Sequence, residues 1–197
     1  MKRVAVLISG RGSNLQSLVD AQDASYRIVL VISNIADASG LDKARAAFIP
    51  TAVISHAGKS REAFDAEMDA ALRAAHAELV VLAGFMRILS DGFVRGWEGK
   101  LINIHPSLLP AYKGTRVHER VLEAKEALSG ASVHFVVPEL DAGPVIAQAT
   151  VQVAPSDTPQ TLAERVLAVE HRLYPDALKL LANGKVALQN GLAVFNP

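Results

Sequence analysis

A Rossmann-like α/β fold, with a doubly wound and mostly parallel sheet, an antiparallel C-terminal extension and a long C-terminal helix, is predicted by three features of this chain. Short runs rich in Val, Ile and Leu recur at 3–8, 27–32, 51–54, 78–83 and 100–104, each bounded by polar or Gly/Pro-containing stretches. Ala-rich amphipathic stretches of helical period lie between them, at 13–22, 39–47 and 60–76. From residue 130 onward the character changes to β-rich runs with only a short loop between them.

The first run follows Met1-Lys2-Arg3, a basic start that a signal peptide shares, but Ser9-Gly10-Arg11-Gly12 interrupts it after five apolar residues and a buried first strand explains it better. Strand then helix, repeated from the N-terminus, implies parallel strands joined by right-handed crossovers, with a ligand crevice beyond their carboxyl ends. Gly130–Val137 and Val145–Val153 read as an antiparallel pair around the loop Pro138–Pro144. A helix from about Pro159 to Leu181 follows, with Ser156, Asp157 or Thr158 as its cap, and Asn183-Gly184 turns into a last short strand pair. One domain over 1–197 is expected, with a phosphate-binding half at 1–100 and a catalytic half at 101–197.

Composition narrows the function. Apolar residues make up 50%, charged residues 20%, and the formal net charge is +0, which fits a compact protein and removes the electrostatic argument for a nucleic-acid partner. Cysteine is absent, so disulfides, a thiol nucleophile and Cys-based zinc sites are excluded. No apolar run approaches the ~20 residues of a membrane span. A cytoplasmic protein with no membrane partner is the expectation, and monomer and homodimer both stay open.

Three groups of residues carry chemistry. Ser9-Gly10-Arg11-Gly12-Ser13-Asn14 joins the first strand to a helix, where glycines allow close backbone approach and free amides point at an anion; Gly12, Ser13 and Asn14 are the contact candidates. The loop is neither a dinucleotide fingerprint nor a Walker motif, and it fits equally a plain strand-to-helix turn capped by Ser13 or Asn14. Asn103 and His105 leave a strand end on one face, two residues apart, so an amide donor and an acid/base can share a site; a packed His beside a Pro turn is the bland alternative. Asp141 lies in the loop between the β-rich runs and is either a local turn device or a carboxylate that favours a protonated His105. His134, on a strand pattern, belongs to a core or to a layer behind the site.

Taken together, Ile8–Gln16, Leu82–Leu89, Asn103–Pro110 and Ser132–Phe135 with Glu139–Asp141 resemble the phosphoribosylglycinamide formyltransferase family of purine synthesis, nearly end to end. Ser33-Asn34 with Ala36–Ala38, Ser60–Glu62 and Glu170-His171 with Tyr174-Pro175 add to the resemblance, in the same order. It implies that Asn103, His105 and Asp141 are catalytic, and that Gly12, Ser13 and Asn14 hold the phosphate of glycinamide ribonucleotide. Glu170 would meet that substrate's glycinamide side. Arg61, Met86, Arg87, Ile88 and Leu89, with Asn103 and Val137, Pro138, Glu139, Leu140 and Asp141, would line the pocket for 10-formyltetrahydrofolate, the formyl donor. No metal is required.

Read without the resemblance, Leu82–Leu89 is a strand, a Gly turn and a helix start. Two departures stand out. Arg116 takes the place of the first His in a Gly-Leu-His-Thr-His stretch, and Ala142 the place of a common Gly, which asks whether a positive φ is needed there. A methionyl-tRNA formyltransferase would be expected to add a basic C-terminal domain and a formyltetrahydrofolate deformylase an N-terminal regulatory one. Here the glycine loop starts at residue 9 and the chain stops at 197. A nucleotide-binding module without chemistry is the rival from another class.

Overall fold

The computed structural model describes all 197 residues. Seven strands form one sheet in the order β3-β2-β1-β4-β5-β6-β7. Strands β1 (Lys2–Ile8), β2 (Tyr26–Ser33), β3 (Thr51–Val53), β4 (Leu79–Leu82) and β5 (Leu101–His105) run parallel, and β6 (Leu128–Phe135) and β7 (Val145–Gln152) extend the sheet antiparallel. The order reverses at β1 and β4, so the loops leaving their carboxyl ends diverge and open a crevice, where ligands bind in such sheets.

Period-2 alternation builds two cores. On β1, Val4, Val6 and Ile8 face α1 (Ser13–Asp20), α2 (Gly40–Ala46), α5 (Val117–Glu123) and α6 (Pro159–Ala182), through Leu15, Leu18, Leu41, Val121, Leu162 and Leu178. Ala5 and Leu7 face α3 (Arg61–Ala74) and α4 (Asp91–Gly96), through Phe64, Met68, Leu72 and Phe93. Strands buried on both sides need helices on both faces, which is why their sequences are continuously apolar. A separate hairpin, β8 (Val186–Gln189) with β9 (Leu192–Phe195), closes the chain. No helix is long and apolar enough to cross a membrane.

Helices α4 and α5 are the two that the hydrophobic pattern does not disclose. The helix expected straight after Gly84 does not form there. The Ser90 amide donates to Asp65 Oδ2 at 2.6 Å and the Ser90 hydroxyl caps Phe93, so residues 85–90 stay an extended loop and α4 begins only at Asp91. Thr158 caps α6 in a reciprocal box with Thr161 and with Pro159 as the first helical residue, an arrangement worth about 1 kcal/mol.

Candidate active site

Sequence alternation places a polar strip on one face of the β5–β6 pair. Asn103 opposes His134 and His105 opposes Ser132 in the antiparallel register, while Ile102, Ile104, Val133 and Phe135 turn into the core on the other face. Four polar side chains therefore converge at the carboxyl end of β5, three of them buried. Such groups are tolerated only when paired.

The pairing fixes which atom does what. His105 Nε2 lies 2.9 Å from the Tyr112 carbonyl, which can only accept, so Nε2 carries a proton and Nδ1 is the nitrogen left for chemistry. Asp141 Oδ2 stands 3.4 Å from that Nδ1, closer than a bridging water would require, and also accepts from the Gly114 amide at 2.9 Å. Asp141 has φ 48, so the positive φ of this loop falls on the aspartate, a residue type that tolerates it, and Ala142 needs no glycine. Its other oxygen is 3.7 Å from His134 Nε2, placing the carboxylate between two imidazoles.

Ser132, invisible as a site residue in the sequence, holds the loop that holds His105. Its hydroxyl donates to the Ser107 carbonyl at 2.6 Å and accepts from the Leu109 amide and from Gln148 Nε2. Gln148 also donates to the Leu109 carbonyl, next to the cis Leu109–Pro110 bond. The alternation of Ser132-Val133-His134-Phe135 opposite Asn103-Ile104-His105 is the signal from which Ser132 and His134 could have been found; the Tyr112 carbonyl and Gly114 amide have none.

At the other end of the crevice, α1 is capped by Gly12 rather than by Ser13 or Asn14. Gly12 has φ 65 and makes no side-chain cap bond, and a Cβ there would stand 2.7 Å from Gly40 Cα, so a left-handed residue without a side chain is required. The cap bears no side-chain oxygen that would occupy the first amides of α1. Asn14 Nδ2 donates to Glu170 Oε2 at 2.7 Å, leaving Asn14 Oδ1 buried without a partner. Burial pushes the Glu170 carboxyl above its ordinary range, and the bond from Asn14 opposes this only in part. Glu170 is thus tied to the glycine loop. One turn on, Tyr174 of α6 donates to the carbonyls of Leu82 and Ile102, so a single helix face links that loop to the carboxyl end of β4 and the start of β5.

Met86, Arg87, Ile88 and Arg61 are exposed, while Leu89 is buried. Met86 is 76% exposed, Ile88 60% and Leu140 55%, so three large apolar side chains stand in water on the loops after β4 and before β7. The loop after β4 leaves the carboxyl end of a parallel strand, the side of such sheets where ligands bind. The loops are anchored: the Met86 amide donates to Ser9 Oγ, which itself donates to Asn34 Oδ1, and Phe85 stacks on Phe64 at 6.4 Å. Val137 is partly buried, and Pro138 and Glu139 are exposed beside Leu140. Lys113 lies 3.3 Å from Glu139. Arg116 points into solvent with its guanidinium 3.9 Å from an equally exposed Glu123, a contact of little energetic weight.

Residues 2–178 match the family described as formyl transferase. Phosphoribosylglycinamide formyltransferase of Escherichia coli (strain K12) is 45% identical over 194 residues, covering 96% of this chain and 92% of that protein. The trifunctional purine biosynthetic protein adenosine-3 of Bos taurus is 53% identical over 194 residues, of which the chain spans only 19% of the length. Glycinamide ribonucleotide transformylase 1 from Symbiobacterium toebii superposes with a TM-score of 0.96 at 40% identity, covering 100% of this chain and 95% of that one. Phosphoribosylglycinamide formyltransferase from Anaplasma phagocytophilum superposes at 0.93 with 45% identity and the same coverage. A match over nearly the whole chain, with the sheet order reversed at the crevice and Asn103, His105 and Asp141 gathered beside it, leaves one conclusion: the chain belongs to the formyl transferase family.

Proposed function

We propose that the chain transfers the formyl group of 10-formyltetrahydrofolate to the amine of N1-(5-phospho-D-ribosyl)glycinamide, in purine biosynthesis. The observation that carries this reading is the 3.4 Å approach of Asp141 to His105 beside Asn103, with the Gly12 loop leaving the carboxyl end of β1 in the same parallel sheet. The amine attacks the formyl carbon, a C–N bond forms, and the carbonyl pair moves onto oxygen. Asn103 and the Nδ1–H of His105 donate to that oxyanion, and Asp141 stabilises the imidazolium and relays the amine proton toward N10 as the C–N10 bond breaks. Products are the N-formyl amide and tetrahydrofolate. Atoms balance without a metal in this scheme.

Gly12, Ser13 and Asn14 hold the phosphate in this reading, and Glu170 faces the same substrate, its carboxyl and the unpaired Asn14 Oδ1 offering acceptors to its hydroxyl or ammonium groups. Met86, Ile88 and Leu140, with Leu89, Val137 and Pro138, supply an apolar wall for the pterin and aminobenzoyl rings. Arg61 and Arg87 are cations free to meet the carboxylates of the folate tail, and Glu139 borders the opening. The halves at 1–100 and 101–197 share this work, since Glu170 reaches back to Asn14 across the division.

A formyl-transfer assay with both small molecules, following release of tetrahydrofolate, is expected to give product only when both are present. Turnover with initiator tRNA or with water as acceptor in place of the ribonucleotide would overturn the assignment. Gly12→Ala is expected to raise KM for the ribonucleotide about tenfold, because the left-handed backbone costs an alanine about 1–2 kcal/mol and the new methyl meets Gly40. The KM for the formyl donor should stay unchanged; a shared rise would move the phosphate elsewhere.

A further inference from the structure

His134 is 2% exposed and lies opposite Asn103 in the β5–β6 register, with Nε2 3.7 Å from Asp141 Oδ1. Its Nδ1 is 2.8 Å from the Phe135 carbonyl, which only accepts, so Nδ1 carries the proton and Nε2 of the neutral ring presents a lone pair. Asn103 Nδ2 stands 3.2 Å from that lone pair and donates to it. An amide has two ends, and only one of them can face such an acceptor. Turned over, Asn103 would set its carbonyl oxygen against the Nε2 lone pair, two acceptors with no hydrogen between them. Burial pushes the His134 imidazole down and His105 adds to this, while the Phe135 carbonyl and Asp141 oppose it.

Resting on the reading of Asn103 as an oxyanion donor, we propose that His134 is a positioning residue, whose Nε2 accepts from Asn103 and so turns the amide to present N–H rather than C=O to the reacting formyl oxygen. The consequence is kinetic and confined to the transition state. A turned amide opposes the oxyanion but leaves both substrates' binding groups in place, so kcat falls and KM does not.

The test is a double-mutant cycle in the full chain with both substrates. His134→Leu fills the space without an acceptor and is expected to lower kcat about tenfold, the weight of one lost orienting hydrogen bond, with both KM values within about twofold. His134→Gln restores an acceptor and is expected to recover most of the loss. In the Asn103→Ala background, His134→Leu should cost nothing further, because the group it orients is gone. Wild-type kcat in His134→Leu, or an additive loss in the double variant, would overturn the proposal. Should the leucine variant fail to fold, His134→Asn, too short to reach Asn103, takes its place in the same cycle. A slow Asn103→Ala beside a fast His134→Leu sinks this inference alone, whereas a fast Asn103→Ala sinks the reading on which it rests.

Discussion

Asn103→Ala should turn over about 10²–10³-fold more slowly than wild type, the usual effect of removing one donor aimed at a developing oxyanion. The side chain is half-buried on β5 and hydrogen-bonds to His134, so its removal deletes a single hydrogen bond from the folded state. That loss is worth about 0.5–1.5 kcal/mol, or a few degrees in Tm for a chain of this size. Activity and stability should therefore separate: a nearly normal melting transition beside a collapsed kcat. Both KM values should hold, because the phosphate loop and the apolar wall are untouched. His105→Ala should lose rate to a similar degree but also releases the Tyr112 carbonyl, and with it the loop that Ser132 pins. Near-normal turnover in either variant would remove that residue from the scheme.

Why the sequence disclosed so much of this, and not all, has a physical answer in particular residues. Strands β1, β2, β4 and β5 are buried on both faces, so their apolar runs are long and unbroken, and their limits shift by only a residue or so in the structure. Asn103 and His105 were legible because a strand carries alternate side chains to one face. Their partners across the sheet were harder, since register in an antiparallel pair is set by tertiary pairing, and His134 acquires its meaning only from lying opposite Asn103. The loop after Gly84 misled because a local pattern cannot reveal that the Asp65 carboxylate, on another helix, will claim the Ser90 amide. Backbone groups such as the Tyr112 carbonyl and Gly114 amide carry no sequence signal, yet they fix the tautomer of His105 and the place of Asp141.

Gly143→Ala should be the most damaging single methyl in the chain, lowering both stability and rate. A Cβ at Gly143 would stand 1.7 Å from the Phe135 carbonyl oxygen and 2.8 Å from its carbon, and these atoms are backbone that cannot rotate aside. The Pro144 carbonyl accepts from the Phe135 amide at 3.0 Å, so the loop is stitched to β6 at the point of the clash. Overpacking of this kind costs about 1–3 kcal/mol or more, a fall in Tm of roughly 2–12 °C or more. The loop can relieve it only by lifting away from β6, and Asp141, two residues earlier and already at φ 48, moves with it. A displacement near 1 Å at a catalytic group can cost about 10²-fold in rate, so kcat should fall by that order even where the protein still folds. Ala142→Gly, one residue away, is the contrasting case: no positive φ is needed there, so only the small entropic loss of an added glycine is expected, about 0.4–1 kcal/mol, with kcat preserved. Differential scanning calorimetry together with the formyl-transfer assay reads both variants. Wild-type Tm and kcat in Gly143→Ala would mean that the Asp141 loop does not need its close approach to Phe135, and that the carboxylate reaches His105 by some other support.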